Sequence, residues 1–122
     1  MANRRVGGIL FIKKDGEQLQ AKGAFTYNLG VPEREAVVGS DGVHGFSEMP
    51  RVPFIEGAIT DSDELDLATL LRTRDSTVTI ELANGKTVVL REAWFAGESS
   101  PNTETGEIPV RFEGIEGEEV AA

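Results

Sequence analysis

The sequence predicts a mainly β fold, an antiparallel sandwich or barrel with one short packed α-helix at about 62–72 and a long loop at 39–50. Three observations predict it. Apolar and polar residues alternate with period two along much of the chain, an Asn-Gly pair divides two such runs, and one segment alone carries apolar residues at helical spacing.

Taken in order, residues 6–13 form a mostly apolar strand that ends at the turn Lys14-Asp15-Gly16. From 19 to 29 the alternation is clean. Leu19, Ala21, Gly23, Phe25, Tyr27 and Leu29 lie on one face, and Gln18, Gln20, Lys22, Thr26 and Asn28 on the other. This predicts one long strand with a core face and a wet face. A turn at Gly30-Val31-Pro32-Glu33 leads into a return strand at 34–38, making a hairpin. Residues 39–50 hold three glycines within seven positions and close on Pro50, the signature of an extended loop.

Residues 52–60 resume as strand, with Pro53 near its start, where a missing N–H is best tolerated. Asp61 and Glu64 then stand at capping-box spacing ahead of an apolar stripe of Leu65, Leu67, Ala68, Leu70 and Leu71. So short a helix must pack on the sheet to persist. In the next hairpin Thr77, Thr79 and Glu81 alternate with Val78, Ile80 and Leu82. Asn84-Gly85 is expected to supply the positive φ angles of a tight turn into a strand at 87–95. A polar loop at 97–105 precedes a last strand at about 106–114, with Ile108, Val110 and Phe112 on one face. Residues 115–122 read as a short acidic tail, so a single domain is expected over 1–122.

Composition narrows the function. Hydrophobic residues make up 39% and charged residues 27%, as in a soluble globular domain with one core. No apolar run approaches the ~20 residues needed to span a bilayer, so no membrane anchor is expected. The run after Arg4-Arg5 is short, glycine-broken and without a small-residue cleavage site, so it is not expected to be a signal peptide. With no cysteine, disulfides, thiolate catalysis and thiolate metal sites are excluded together. Twelve basic against 21 acidic residues give a net charge of −9, a surface that repels phosphate backbones. Residues 1–22 carry a net +3 and residues 98–122 a net −6, so the ends of neighbouring copies could attract each other.

The search for chemistry is largely negative. His44 is the only imidazole. Its neighbours Ser40 and Asp41 sit in a glycine-rich stretch better explained by an ordinary hydrogen bond or an interface contact than by a triad. Asp61, Asp63, Glu64 and Asp66 lack the glycine and ligand alternation of a calcium loop and suit a helix N-terminus instead. Gly7-Gly8 lies within a strand and does not lead into a helix, so it is no phosphate cradle. Neither a catalytic residue, a cofactor nor a metal is expected. What stands out is mechanical: a long strand whose wet face holds few charges, and a 39–50 segment too apolar at Val43, Phe46 and Met49 to rest in water. Both make sense if sister copies cover them.

Four stretches then carry a resemblance. Val37-Val38-Gly39-Ser40-Asp41-Gly42-Val43-His44-Gly45-Phe46 and Pro53-Phe54-Ile55-Glu56-Gly57-Ala58-Ile59-Thr60-Asp61 come first. Thr77-Val78-Thr79-Ile80-Glu81-Leu82-Ala83-Asn84-Gly85-Lys86 and Val110-Arg111-Phe112-Glu113-Gly114 follow in order. Across nearly the whole chain the sequence resembles the tail tube proteins of Mu-like contractile-tailed bacteriophages. The resemblance implies a β-barrel or sandwich with a flanking helix, hexameric rings stacked into a hollow tube, and no enzymatic activity. It also implies a place in the virion tail after assembly in the host cytoplasm. The implied partners are the chain itself, the sheath, tape measure and baseplate proteins, and genomic DNA passing through without specific binding.

The expected lumen residues are Gln18, Gln20, Lys22, Thr26, Asn28, Glu33 and Glu35, although Lys22 and Arg34 weigh against an acidic wall there. The expected contacts between subunits or rings are Arg4, Arg5, Asp41, Val43, His44, Phe46 and Met49. Two alternatives stay open. One is the tube of a type VI secretion-like or phage-derived particle. The other is a small ligand-binding β-barrel, for which one Trp (Trp94) and one Tyr (Tyr27) are a thin supply of pocket walls.

Overall fold

A computed structural model describes residues 9–63 and 65–120, and the sequence expectations at 1–8, Glu64 and 121–122 lie outside the described residues. Ten strands and one helix run in the order β1 (Ile9–Lys14), β2 (Glu17–Leu19), β3 (Ala21–Asn28), β4 (Glu33–Gly39), β5 (Gly42–Met49), β6 (Phe54–Thr60), α1 (Leu67–Leu71), β7 (Ser76–Leu82), β8 (Thr87–Phe95), β9 (Glu107–Glu113) and β10 (Glu116–Val120). Eight of the strands make one antiparallel sheet in the order β2-β1-β7-β8-β9-β6-β3, with β10 joining β8. The two ends of that order, β2 and β3, are neighbours in sequence, so the sheet curls almost into a closed barrel. The expected β fold with one packed helix is what the chain adopts.

Period two fills the barrel. Ile12 on β1, Val78 and Ile80 on β7, Val88, Leu90 and Ala93 on β8, and Ile108, Val110 and Phe112 on β9 all point inward and are buried. On β6 the inward positions are Ile55, Gly57 and Ile59. Gly57 is required there, because a Cβ would stand 2.7 Å from carbons of the Phe25 ring. Burying such side chains stabilises the fold by roughly 1.5–3 kcal/mol each relative to exposure.

Several elements differ from the sequence expectation. The long strand at 19–29 is split at Gln20: β2 pairs with β1, whereas β3 pairs with β6. Gln20 is the barrel corner, and its carbonyl accepts the Thr60 N–H at 2.7 Å. The inward set survives the split, since Leu19, Ala21, Phe25, Tyr27 and Leu29 all belong to the core or pack against it. The return strand does not pair with β3. It pairs instead with β5, which occupies the segment expected to be a loop at 39–50. Gly42 and Gly45 take φ of 136° and 147°, extended shapes that L side chains avoid, so the glycines that suggested a loop are what let this strand run.

The helix is also shorter than expected. Asp66, not Asp61, caps it, accepting the Thr69 N–H at 3.3 Å and the Thr69 hydroxyl at 2.9 Å. Leu65, Leu67 and Leu70 meet the core, while Ala68 and Leu71 are exposed. The 84–85 turn is looser than a two-residue hairpin. Leu82 donates to the Lys86 carbonyl at 2.8 Å, and only Gly85 has a positive φ (97°) there. Finally, residues 116–120 of the expected acidic tail form β10, running antiparallel to residues 87–91 of β8.

Candidate assembly surfaces

The β4–β5 ribbon stands apart from the barrel. Its strands pair only with each other, and every residue on them is exposed apart from half-buried Gly39. Directly paired residues share a face of a sheet. Arg34 with Glu48, Ala36 with Phe46, and Val38 with Val43 therefore make one side of the ribbon. On that side the Arg34 Nε–Glu48 ion pair (3.0 Å) sits at the base and the guanidinium stacks 4.9 Å from the Phe46 ring. Beyond it are Ala36, Val38 and Val43, all apolar. Val43 is 72% and Phe46 58% exposed. Glu33 with Met49, and Glu35 with Ser47, occupy the opposite side.

At the tip, the His44 ring lies against the α-carbon of Gly39, where any β-carbon would collide with it. His44 Nε2 is 2.6 Å from Asp41 Oδ1, and this hydrogen bond holds the Asp41 carboxyl below its ordinary value. The ladder shifts register between Val37 and Val38, and that irregularity leaves His44 out of the pairing. Asp41, Val43, His44, Phe46 and Met49 are thus brought onto one projecting ribbon. Arg4 and Arg5 lie outside the described residues.

A second surface is the outward side of β3, β6 and β9. Register places Lys22 beside Ala58, Thr26 beside Glu56 and Asn28 beside Phe54. Beyond them Arg111 lies beside Glu56, and Glu113 lies between Phe54 and Trp94. Its two cations are both engaged. Arg111 bonds Glu56 at 2.8 Å and Glu113 at 3.0 Å while stacking 4.1 Å from the Phe54 ring. The Glu56 hydrogen bond, more than the Glu113 contact, raises the guanidinium's pKa further, against the effect of its partial burial. Lys22 Nζ donates to the Thr105 carbonyl at 2.7 Å.

Of the expected lumen set, Lys22, Thr26 and Asn28 share this side. Gln18 lies across from Lys13 at the other end of the sheet order, Gln20 is at the corner, and Glu33 and Glu35 are on the ribbon. The Arg111 cluster was not foreseen. Its signal was the alternation of Glu56, Arg111 and Glu113 with buried neighbours.

No three acidic, histidine or cysteine side chains converge as a metal site among the described residues. A groove of about 300 Å³ beside Glu56, Ala96, Glu98, Pro109 and Arg111 offers no aromatic wall to a ligand. No helix of the described residues is long and apolar enough to cross a membrane.

The chain is 30% identical over 108 residues to the tail tube protein of Escherichia phage Mu, spanning 88% of this chain and 89% of that one. It is also 30% identical over 109 residues to the Mu-like prophage FluMu tail tube protein of Haemophilus influenzae, spanning 89% and 91%. Among solved structures, it matches the sheath/tube terminator of the PVC extracellular contractile injection system with a TM-score of 0.66. The identity there is 11%, over 91% of this chain and 92% of that one. The tube-terminating cap of the anti-feeding prophage matches with a TM-score of 0.63 and 10% identity, over 92% and 87%. These two likenesses show the shared fold. The phage tail tube protein profile matches residues 3–119, and the chain belongs to that family as a structural subunit of the tail tube.

Proposed function

We propose that six copies of this chain close into a ring and that rings stack into a hollow tube, with the β4–β5 ribbon gripping a neighbouring copy. The observation that carries this reading is the side of the ribbon formed by Ala36, Val38, Val43 and Phe46. A two-stranded ribbon is barely stable alone in water, and an exposed apolar face of this kind marks a protein contact. The cover in this reading is a sister subunit.

The lumen wall is the outward side of β3, β6 and β9. Its cations are already held by Glu56, Glu113 and a carbonyl, so few positive groups remain to grip a phosphate backbone. Six copies at −9 give 6 × −9, or −54 per ring, a field that keeps duplex DNA from adhering during ejection. Sheath, tape measure and baseplate proteins are the proposed partners, the virion tail is the proposed location, and no catalytic role is assigned. The same reading covers a phage-derived contractile particle. Neighbouring genes for capsid or effector proteins separate the two.

The test is Val43→Glu combined with Phe46→Glu. Neither side chain belongs to the barrel core, so circular dichroism should match the parent while negative-stain microscopy shows no tubes. Deletion of residues 39–49, which removes β5, should likewise leave a cooperatively folding barrel that forms no tubes. Tubes of normal length from either variant reject the proposal.

A further inference from the structure

β10 is attached differently from every other barrel strand. Four of its five residues are exposed and Gly117 is only half-buried, so it contributes no side chain to the core. It is held by its backbone ladder, by a 3.5 Å hydrogen bond from the Tyr27 hydroxyl to Glu119, and by ion pairs to the strand beneath and the turn before it, Arg91 with Glu118 at 2.8 Å and Lys86 with Glu119 at 3.0 Å. Such exposed pairs are weak and screened by salt.

The strand beneath cannot stay bare. Residues 87–91 of β8 include the buried Val88 and Leu90, and without β10 their edge would present unpaired N–H and C=O groups. The link to the barrel is short. β9 and β10 follow one register along β8 (Trp94 opposite Glu113, then Arg91 opposite Glu116), with an irregularity at Gly114-Ile115, where the Gly114 N–H donates to the Pro53 carbonyl and the Ile115 N–H to the Arg91 carbonyl, both at 3.1 Å. Opposite that break Glu92 takes a φ of 51°, and Ile115 is 66% exposed. Gly117, opposite Leu90, sits over Leu29 just after the end of β3, where a Cβ would stand 2.9 Å from the Leu29 carbonyl.

We propose that β10 is an exchangeable strand. It lies on its own β8 in the free subunit and on β8 of a second copy in the assembly, pivoting at Gly114-Ile115. The second copy is the fitting occupant because its β10 carries the same Glu118 and Glu119 for the same Arg91 and Lys86 and restores the same ladder. Exchange of an identical element leaves the contacts unchanged and needs only an opened hinge. This inference rests on the self-assembly proposed above.

The chain has no cysteine, so engineered thiols report on themselves alone. Thr87 and Val120 are register partners at the end of β10 farthest from the hinge. The double variant T87C/V120C, oxidised as free subunit, should close within one chain. A mixture of T87C chains with V120C chains, oxidised after assembly, should give a disulfide-linked dimer on a non-reducing denaturing gel. The same mixture oxidised before assembly should not.

Tubes visible by microscopy in which the mixture stays monomeric overturn the exchange and leave the ring reading intact. Where no tubes form, the ring reading fails on its own. The gel on concentrated soluble protein then decides the exchange, a dimer supporting it and its absence overturning it.

Discussion

Phe112 enters the barrel from β9 fully buried, and its ring meets the edge of Phe95 with centroids 5.6 Å apart and planes at 86°. Both β8 and β6 flank it, so neither side can collapse without moving a paired strand. Phe112→Ala should therefore cost about 3–5 kcal/mol, a large part of the 5–15 kcal/mol typical of a domain. Urea unfolding reads this directly, and a cost under about 1 kcal/mol would mean that the barrel interior relaxes freely.

Asp41 makes a different residue-level case, one of charge. The hydrogen bond from His44 holds its carboxyl below the ordinary 3.8, so the folded chain keeps the anion to lower pH than the unfolded chain does. Its contribution to the ribbon tip is present above that ordinary value and is lost as pH falls through the lowered one. A carboxyl NMR titration should place the Asp41 midpoint below 3.8 in the parent and return it towards 3.8 in His44→Ala. An unchanged midpoint would remove His44 from the account.

At the scale of elements, the legible parts were those where one period and one core side decide everything. The paired strands β7 and β8 and the inward residues of β9 follow directly from alternation, since each outward polar residue has an inward apolar neighbour. Three elements were harder to read. Gln20 is an ordinary polar residue in a perfect alternation, and nothing local marks it as the point where the chain leaves β1 for β6. Gly42 and Gly45 satisfy both a loop and a strand that passes through mirror-side φ values, and only the register with β4 chooses between them. β10 reads as a tail because an edge strand with no buried side chain leaves no apolar trace. Among the expected contact residues, Val43, Phe46 and Met49 were legible as apolar residues out of place, but their division between two sides of a ribbon needed the register.

At the scale of the molecule, the net charge of −9 says that the surface repels polyanions, yet a lumen wall is chosen residue by residue. On the proposed wall, Arg111 is the cation best placed to meet a passing phosphate. Glu56 and Glu113 occupy its donors from two sides while Phe54 covers its face. A guanidinium so engaged has little left to offer a phosphate, whereas a released one forms the strong bidentate contact that makes arginine a phosphate binder. The change Glu56→Gln with Glu113→Gln removes two negative charges and both ionic partners, leaving Arg111 on its aromatic seat and the barrel core untouched. Tubes of that variant should retain short duplex DNA in co-sedimentation at low salt. They should release it as salt rises, because counterion release weakens each phosphate contact, and parent tubes should retain little at any salt. Adding Arg111→Gln should abolish the retention, which ties it to this guanidinium rather than to the two lost carboxylates alone. Equal retention by parent and variant tubes would place the side of β3, β6 and β9 away from the path of the DNA.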